Sequence, residues 1–206
     1  MLLNLKEKRI NDFWTWFAGN SKLLGGLKED DYSLINSLKQ KLQKINDKLI
    51  FELNFTKNSE DNQLVISADG LVDAFEDVIR VVEESPISIE GWNIKAFRQK
   101  KDIKKLRFKM NKTILTCEDV FFTYYPDFKT NLINVNIYIN EIRKIDNEVK
   151  QIALLFLDSA LGEFDAATKI NKIYIGTSNQ YKAELFESKL HSLVKLEMVV
   201  GKHNLL

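Results

Sequence analysis

The chain has 206 residues, of which 45% are hydrophobic and 29% charged, a composition typical of a globular protein and not of a disordered one. Its net charge of +1 gives the whole chain no bias towards nucleic acid or membranes. A single cysteine, Cys117, rules out an internal disulfide and argues against a zinc site. We therefore expect a cytoplasmic protein with no cofactor and no metal.

Two helices are predicted near the start of the chain. The first spans about residues 5–18, because apolar side chains recur there at spacings of three and four, and Gly19 is expected to end it. The second begins after Asp31, a favourable N-cap, and carries a leucine stripe. The apolar stripe of the first helix consists of Ile10, Phe13, Trp14 and Phe17.

A hairpin and a third helix follow. Apolar and polar residues alternate over residues 49–55, and residues 63–68 are predicted to form the partner strand across a polar turn. The third helix is predicted over residues 71–84, with Asp69 as its cap. Ser85 and Pro86 are predicted to stop this helix, because the residue before a proline disfavours helix.

The second half of the chain begins with strands and ends with helices. Alternation predicts strands over residues 92–97, 104–110, 120–125 and 131–139. Next comes a helix over residues 146–161, which Gly162 closes. We expect it to be the most buried helix, because its middle is apolar all round. That apolar run is far shorter than the about 20 residues that cross a bilayer. A short strand over residues 170–176 and a last helix over residues 185–199 complete the chain.

This order of elements predicts the fold class. Consecutive strands with short connections favour a largely antiparallel sheet of about six to seven strands, packed with four to five helices. Strands and helices do not alternate regularly, which argues against a doubly wound dinucleotide fold. No linker rich in Pro, Gly or Ser divides the chain. We therefore predict a single α+β domain over residues 1–206.

Signatures of well-known chemistries are missing from the sequence. It contains no phosphate-binding glycine loop and no nucleophile elbow around a serine. Cys117 is followed by two acids, Glu118 and Asp119, whose charges raise the pKa of a thiol and blunt its reactivity. His191 is expected at an exposed position on the last helix.

One acidic cluster is a candidate catalytic site. Asp158, Glu163 and Asp165 fall within eight residues, around the predicted end of the fourth helix. Because that end carries a partial negative charge, three acids there are unfavourable unless they hold a cation or act as general acids. The alternative is structural, with Asp165 capping the segment that follows.

Two neighbouring segments carry opposite charge. Residues 58–90 contain nine acids and one base, a net charge of −8, and residues 95–112 contain nine bases and one acid, a net charge of +8. The basic segment is a candidate for binding the phosphates of RNA. Its candidate contacts are Lys95, Lys105, Arg107 and Lys109. The alternative is a solvated strand face whose charge the acidic segment neutralises.

The aromatic run FWTWF in the first helix gives a candidate partner-binding residue. With Phe13, Trp14 and Phe17 facing inwards, Trp16 points elsewhere. An exposed tryptophan would indicate an interface, because tryptophan is enriched at binding hot spots. The alternative is that the segment after the helix shields it.

Several stretches resemble a family of small uncharacterised bacterial cytoplasmic proteins. They are NDFWTWF, QLVISADG, AFEDVIRVVEESP, GWNIKAFRQ and FLDSALGEFDAATKI. The resemblance implies one continuous domain, and it implies no activity because the family has none that could be transferred.

These observations favour a protein-interaction or accessory module without catalytic activity, with another protein as its partner. The first alternative is a small-molecule or metal-dependent enzyme that uses Asp158, Glu163 and Asp165. The second is an RNA-binding protein that uses residues 95–112.

Overall fold

The structure is a computed structural model, and it describes residues 4–27, 32–55, 61–110, 113–140, 142–184 and 189–203. The described residues form seven α-helices and nine strands, so the mixed helix and strand content predicted from the sequence is confirmed. They group into two compact units, Met1–Arg98 and Gln99–Leu206. The prediction of a single domain over residues 1–206 stays a prediction.

The first unit combines three helices with a three-stranded sheet. Its elements are α1 (Leu5–Gly25), α2 (Tyr32–Gln43), β1 (Ile50–Asn54), β2 (Asn62–Ser67), a 3₁₀ turn (Val72–Ala74), α3 (Phe75–Glu83) and β3 (Trp92–Ala96). The strand order is β1-β2-β3. The predicted hairpin is confirmed, since β1 and β2 are antiparallel, whereas β3 returns through α3 to lie parallel to β2.

Helix α1 begins where the sequence predicts and ends seven residues later than predicted. The side chain of Asn4 accepts a hydrogen bond from the backbone of Glu7, whose own carboxylate accepts from the backbone of Asn4. The helix passes through Gly19, which costs about 1 kcal/mol in a helix interior. Full burial of Leu24 in the extra turns offsets that cost. Asp31, the predicted cap of α2, lies outside the described residues.

Indole hydrogen bonds tie α1 to the rest of the first unit. Trp14 donates from Nε1 to the carbonyl of Val81 in α3 at 2.7 Å. Trp92 in β3 donates from Nε1 to the carbonyl of Ser21 at 3.0 Å. The predicted apolar stripe of α1 is buried, as expected.

Asp69 does not cap the third helix, contrary to the prediction. It adopts a left-handed backbone conformation (φ 53°), and its carboxylate accepts a hydrogen bond from Arg98 at 2.7 Å. Glu52 accepts from the same guanidinium. Burial lowers the pKa of Arg98, but the hydrogen bonds to these two carboxylates outweigh it and raise that pKa.

The second unit contains two sheets. Its helices and strands are β4 (Phe108–Met110), β5 (Thr113–Leu115), β6 (Val120–Asp127), β7 (Leu132–Ile139), α4 (Asn147–Leu161), α5 (Glu163–Lys169), β8 (Ile170–Thr177), α6 (Ser178–Glu184), β9 (His191–Ser192) and α7 (Leu196–His203). β4 and β5 form one hairpin, and the other sheet has the order β8-β7-β6-β9. β6 lies antiparallel to β7 and β9, whereas β8 is parallel to β7.

Helix α4 covers one face of the larger sheet. Val135, Ile137 and Ile139 of β7 are fully buried in a cluster that includes the inner face of α4. Alternate residues of a strand point to opposite faces, so these three share one face. Leu154 and Leu155 are 39% and 48% exposed. α4 is therefore not buried all round, although it has seven buried residues, more than any other described helix, in agreement with the expectation that it is the most buried one.

Several details of the predicted fold are corrected. The described strands form three small sheets of three, two and four strands instead of one sheet of six to seven, and there are more helices than predicted. The predicted sheet is interrupted because β3 pairs with β2 and not with β4, which pairs with β5. In addition, β3 and β8 pair in parallel with strands from which helices separate them, a non-local pairing that short connections did not suggest. Among the described residues, no helix combines the length and apolarity needed to cross a bilayer.

The predicted elements at residues 104–110 and 185–199 also differ. Ile103–Lys105 is a 3₁₀ turn whose start is capped by Asp102, and a strand covers only Phe108–Met110. The last predicted helix is replaced by β9, a 3₁₀ turn at Leu193–Lys195 and α7, while residues 185–188 lie outside the described part of the chain.

Candidate functional site

The three predicted acids lie at the junction of α4 and α5. Glu163 is the first residue of α5 and is buried, with an exposed fraction of 2%. Asp165 lies inside α5, so it does not cap the segment that follows it, as the structural alternative proposed. Its carboxylate pairs with Lys169 at 2.9 Å. The carbonyl of Asp158 accepts a hydrogen bond from Gly162 at 2.7 Å.

These acids do not form a metal site in the described structure. Among the described residues, no group of three or more His, Cys, Asp or Glu side chains is placed to hold a metal ion. Asp165 is held by its ion pair with Lys169 one turn along the same helix. A catalytic role for Asp158, Glu163 and Asp165 stays a prediction.

The predicted basic strand face is not formed. Lys105 ends the 3₁₀ turn and lies 3.6 Å from the carboxylate of Asp102. Arg107 donates from its guanidinium to the carbonyls of Lys104 and Leu106, at 2.7 and 2.8 Å. Lys109 is exposed on β4. Because the first two lie outside β4, alternation along one strand cannot align the three cations.

Lys95 and Trp16 both belong to the first unit. Lys95 is half-buried on β3, which pairs with β2 and not with β4. It therefore shares no sheet with the other three basic candidates. Trp16 is half-buried on α1, outside the buried stripe of that helix. Its role in partner binding stays a prediction.

Cys117 and His191 occupy apolar surroundings. Burial raises the pKa of the Cys117 thiol, and the charge of Glu118 raises it further, in the direction that the sequence predicts. His191 lies on β9 instead of on a helix, with its ring centroid 5.4 Å from that of Phe122. Burial and the nearby charges of two lysines lower its pKa.

A basic groove of about 800 Å³ lies elsewhere in the second unit. Its cationic lining consists of Arg143, Lys144 and Lys150. The remaining lining is partly apolar and partly uncharged, and it consists of Ile145, Ile173, Tyr174, Ile175, Thr177 and Gln180. None of the described residues that line the groove is acidic. This arrangement can bind a ligand that carries both negative charge and apolar groups.

The N-terminus of α4 brings the three cations together. Arg143 and Lys144 are exposed in the segment before the helix, and Lys150 is exposed in its first turns. Glu148 lies between them in sequence and does not line the groove. Asp146 also lies between them, but its carboxylate accepts a hydrogen bond from the backbone of Val149 at 3.0 Å and caps the helix. The acid is thereby engaged within the helix terminus, and it does not line the groove.

Strand β8 forms the other wall of the groove. Ile173, Tyr174 and Ile175 all line it, although successive residues of a strand point to opposite faces. A groove that contacts successive side chains must therefore run along the edge of the strand. The register with β7 places Ile173 and Ile175 on the face that α4 covers, and Tyr174 on the opposite face.

The groove ends where β8 meets α6. The backbone N–H of Thr177 donates to Oε1 of Gln180 at 2.7 Å, which holds the amide side chain in place. Gly176 permits this packing, because a Cβ atom there would lie 2.9 Å from Cε1 of Tyr174 and 3.1 Å from Oε1 of Gln180. The contact with Gln180 would be tighter than most real Cβ contacts, and the contact with Tyr174 would force one of the two groups to shift.

The sequence alone did not reveal this groove. The segment NEIRKIDNEVK mixes cations with acids, so it forms no charge block. The sequence did predict the helix that begins here, because Asp146 is a favourable N-cap. The carboxylate of an N-cap residue is bonded to the backbone of its own helix. The proximity of β8 could not be read locally, since this strand follows about 20 residues later.

The chain was compared with known proteins in three ways. A scan against protein-family models, a search of curated proteins and a search of solved structures each found no match. The resemblance to a bacterial family, carried by motifs such as GWNIKAFRQ, therefore stays a prediction.

Proposed function

We propose that this protein is a cytoplasmic interaction module that binds an acidic protein partner through the groove of its second unit. The observation that carries the proposal is the lining of this groove. Arg143, Lys144 and Lys150 face it, and none of the described lining residues is acidic. Carboxylates of a partner would be attracted to these cations, which steers association as well as orientation.

The remaining lining supports recognition of a polypeptide in particular. Ile145, Ile173 and Ile175 offer apolar surface beside the cations. Protein interfaces combine apolar contact with charged rims in this way. Single-stranded RNA would instead require several aromatic platforms beside the charge, and Tyr174 is the one aromatic residue among the described lining residues.

The proposal is tested by reversing the charge of the groove. A tagged Arg143→Glu/Lys150→Glu variant is compared with the wild type in pull-downs from nuclease-treated lysate of the source cells, with retained proteins identified by mass spectrometry. We expect a protein that the wild type retains to be lost from the variant, because like charges would then face each other across the interface.

A matched control makes the same change of charge elsewhere in the second unit. Lys109 and Lys129 are exposed and do not line the groove, so Lys109→Glu/Lys129→Glu should retain the partner. Loss of the partner from the control instead of the groove variant would move the interface to the surface around Lys109 or Lys129. Retention of the same proteins by all three forms would contradict the proposal.

A further inference from the structure

Strand β8 lies at the end of its sheet. It pairs with β7 along one side, and no described strand pairs with it on the other. The backbone N–H and C=O groups that point outwards from such a strand have no partner in the sheet. Apart from the N–H of Thr177, which donates to the side chain of Gln180, they are able to pair with an extended segment of another chain.

From Lys172 onwards this edge has little of the usual protection against such pairing, because the one register shift in its pairing with β7 is confined to its start, at Asn171. Natural edge strands are commonly short or interrupted by proline and several charges. β8 is eight residues long, contains no proline and carries a single charged residue, Lys172. β9, at the other end of the same sheet, is only two residues long. Ile173 and Tyr174 are 39% and 40% exposed in the middle of β8.

The exposed edge and the basic groove occupy the same place, since successive residues of β8 line the groove. A segment laid along this edge would have one face towards α4 and the other towards Tyr174. Arg143, Lys144 and Lys150 belong to the α4 side, together with Ile173 and Ile175. Negative charge is therefore favoured at every second position of the added segment.

We infer that an extended acidic segment of the partner adds as a strand to the outer edge of β8. Its carboxylates face the three groove cations, and its intervening side chains lie over Tyr174. This inference rests on the proposed function and deepens it, because it states how the partner is held. Main-chain pairing supplies affinity in this mode, and alternate side chains supply specificity.

The length of the segment follows from strand geometry. The β8 residues that line the groove run from Ile173 to Thr177. At about 3.3 Å per residue, a segment of about seven residues spans this stretch with one residue to spare at each end. The probe is therefore an end-blocked peptide of seven residues in which Glu and Val alternate.

The experiment measures the affinity of this peptide for the full chain by isothermal titration, together with two N-methylated forms. One form is methylated on the backbone nitrogens of Glu and the other on those of Val. In a strand, backbone groups of alternate residues point to opposite edges, so only one set faces β8. We expect one methylated peptide to bind at least about tenfold more weakly and the other to bind like the parent, since several hydrogen bonds are lost in one case.

The outcomes separate this inference from the proposed function. Equal weakening by both methylated peptides, or by neither, would overturn strand addition. If the parent peptide nevertheless bound the wild type and did not bind Arg143→Glu/Lys150→Glu, the charged interface of the proposed function would stand. Absence of binding by the parent peptide would overturn the inference, whereas the pull-down would still decide the proposed function.

Two further controls test the occupant. A peptide in which Lys replaces Glu should not bind, because it would meet the groove cations with like charge. Oligouridylate of equal charge should bind more weakly than the parent peptide, because it has no peptide backbone to pair with β8. Tighter binding of the oligonucleotide would overturn the choice of a protein segment.

Discussion

Asp77 connects three elements of the first unit through one carboxylate. Lys6 of α1 donates to it at 2.6 Å, and Asn46 in the segment after α2 donates at 2.8 Å. Burial raises the pKa of Asp77, but the hydrogen bonds and the charges of Lys6 and Arg80 outweigh it, so that this pKa is lower than usual. In the sequence, Asp77 is one of nine acids in a block, with no sign of this role.

The first prediction concerns Asp77→Asn. We expect it to lower the free energy of unfolding by about 1–2 kcal/mol at pH 7, because it removes a charged hydrogen-bond acceptor that is largely buried. The pKa of Asp77 is lower in the folded chain than its usual value of 3.8. The stabilisation is therefore complete above that value and is lost as the pH falls through the folded pKa. Urea denaturation at pH 7, 5 and 3 measures it.

The matched control for this prediction is Asp73→Asn. Asp73 pairs with Lys48, but its side chain is 65% exposed. Exposed ion pairs contribute little, so we expect a change of less than about 0.5 kcal/mol. A destabilisation by Asp77→Asn that is equally large at pH 3 would show that packing, and not charge, is responsible.

At the scale of elements, two glycines have opposite roles. Gly162 ends α4 and precedes α5 with φ of 78° and ψ of 157°, a conformation that is essentially restricted to glycine. Gly19 lies in the middle of α1, and a Cβ atom there would meet nothing within 4 Å. The sequence predicted that both glycines end a helix. Only the structure distinguishes them, because packing of the residues that follow decides whether a helix continues.

The second prediction compares alanine at these two positions. Gly162→Ala should lower the free energy of unfolding by about 1–3 kcal/mol, because alanine is strained at this φ. Gly19→Ala should raise it by about 0.5–1 kcal/mol, since alanine loses less conformational entropy in a helix. Urea titrations of both variants beside the wild type measure these changes. A destabilising Gly19→Ala would contradict the continuous α1.

At the scale of the whole molecule, the aromatic residues allow the predicted single domain to be tested. Trp14, Trp16 and Trp92 are the three tryptophans of the sequence, and all belong to the first unit. Phe156 is fully buried in α4 of the second unit, with its ring 4.8 Å from that of Phe108. Fluorescence therefore reports on the first unit, while circular dichroism reports on both.

The third prediction uses Phe156→Ala as a perturbation of the second unit. Truncation of a fully buried Phe costs about 3–5 kcal/mol. If residues 1–206 unfold as one domain, as we predict, fluorescence and circular dichroism should give the same lowered midpoint in urea. A circular dichroism transition that moves alone, with the fluorescence midpoint unchanged, would show that the two units unfold separately.

Local patterns predicted much of the secondary structure. The apolar stripe of α1, the hairpin of β1 and β2, the pair β6 and β7, and α4 with its cap at Asp146 all agree with the sequence analysis. Each depends on residues that are close in sequence, through periodicity, capping or a short turn. These predictions agree with the structure because the interactions on which they depend form within one element or between neighbouring elements.

Non-local pairing could not be predicted in this way. β3 and β8 pair in parallel with strands on the far side of intervening helices, and the described strands are divided among three sheets. The basic segment at residues 95–112 was the most conspicuous charge pattern, but a 3₁₀ turn and a short hairpin prevent a common face. The density of charge along a sequence does not determine in which direction the charged side chains point.

The amino-acid sequence by itself determined the composition class of this protein, the mixed helix and strand content and the positions of most elements, because these depend on side-chain periodicity and on contacts between near neighbours. Only the tertiary structure decided which strands meet and which cations share a groove. Arg143, Lys144 and Lys150 become one surface beside β8 because folding brings this distant strand alongside them and leaves the intervening acids Asp146 and Glu148 outside the groove lining. The free energy of such contacts comes from burial and pairing between distant segments, and no local pattern encodes it.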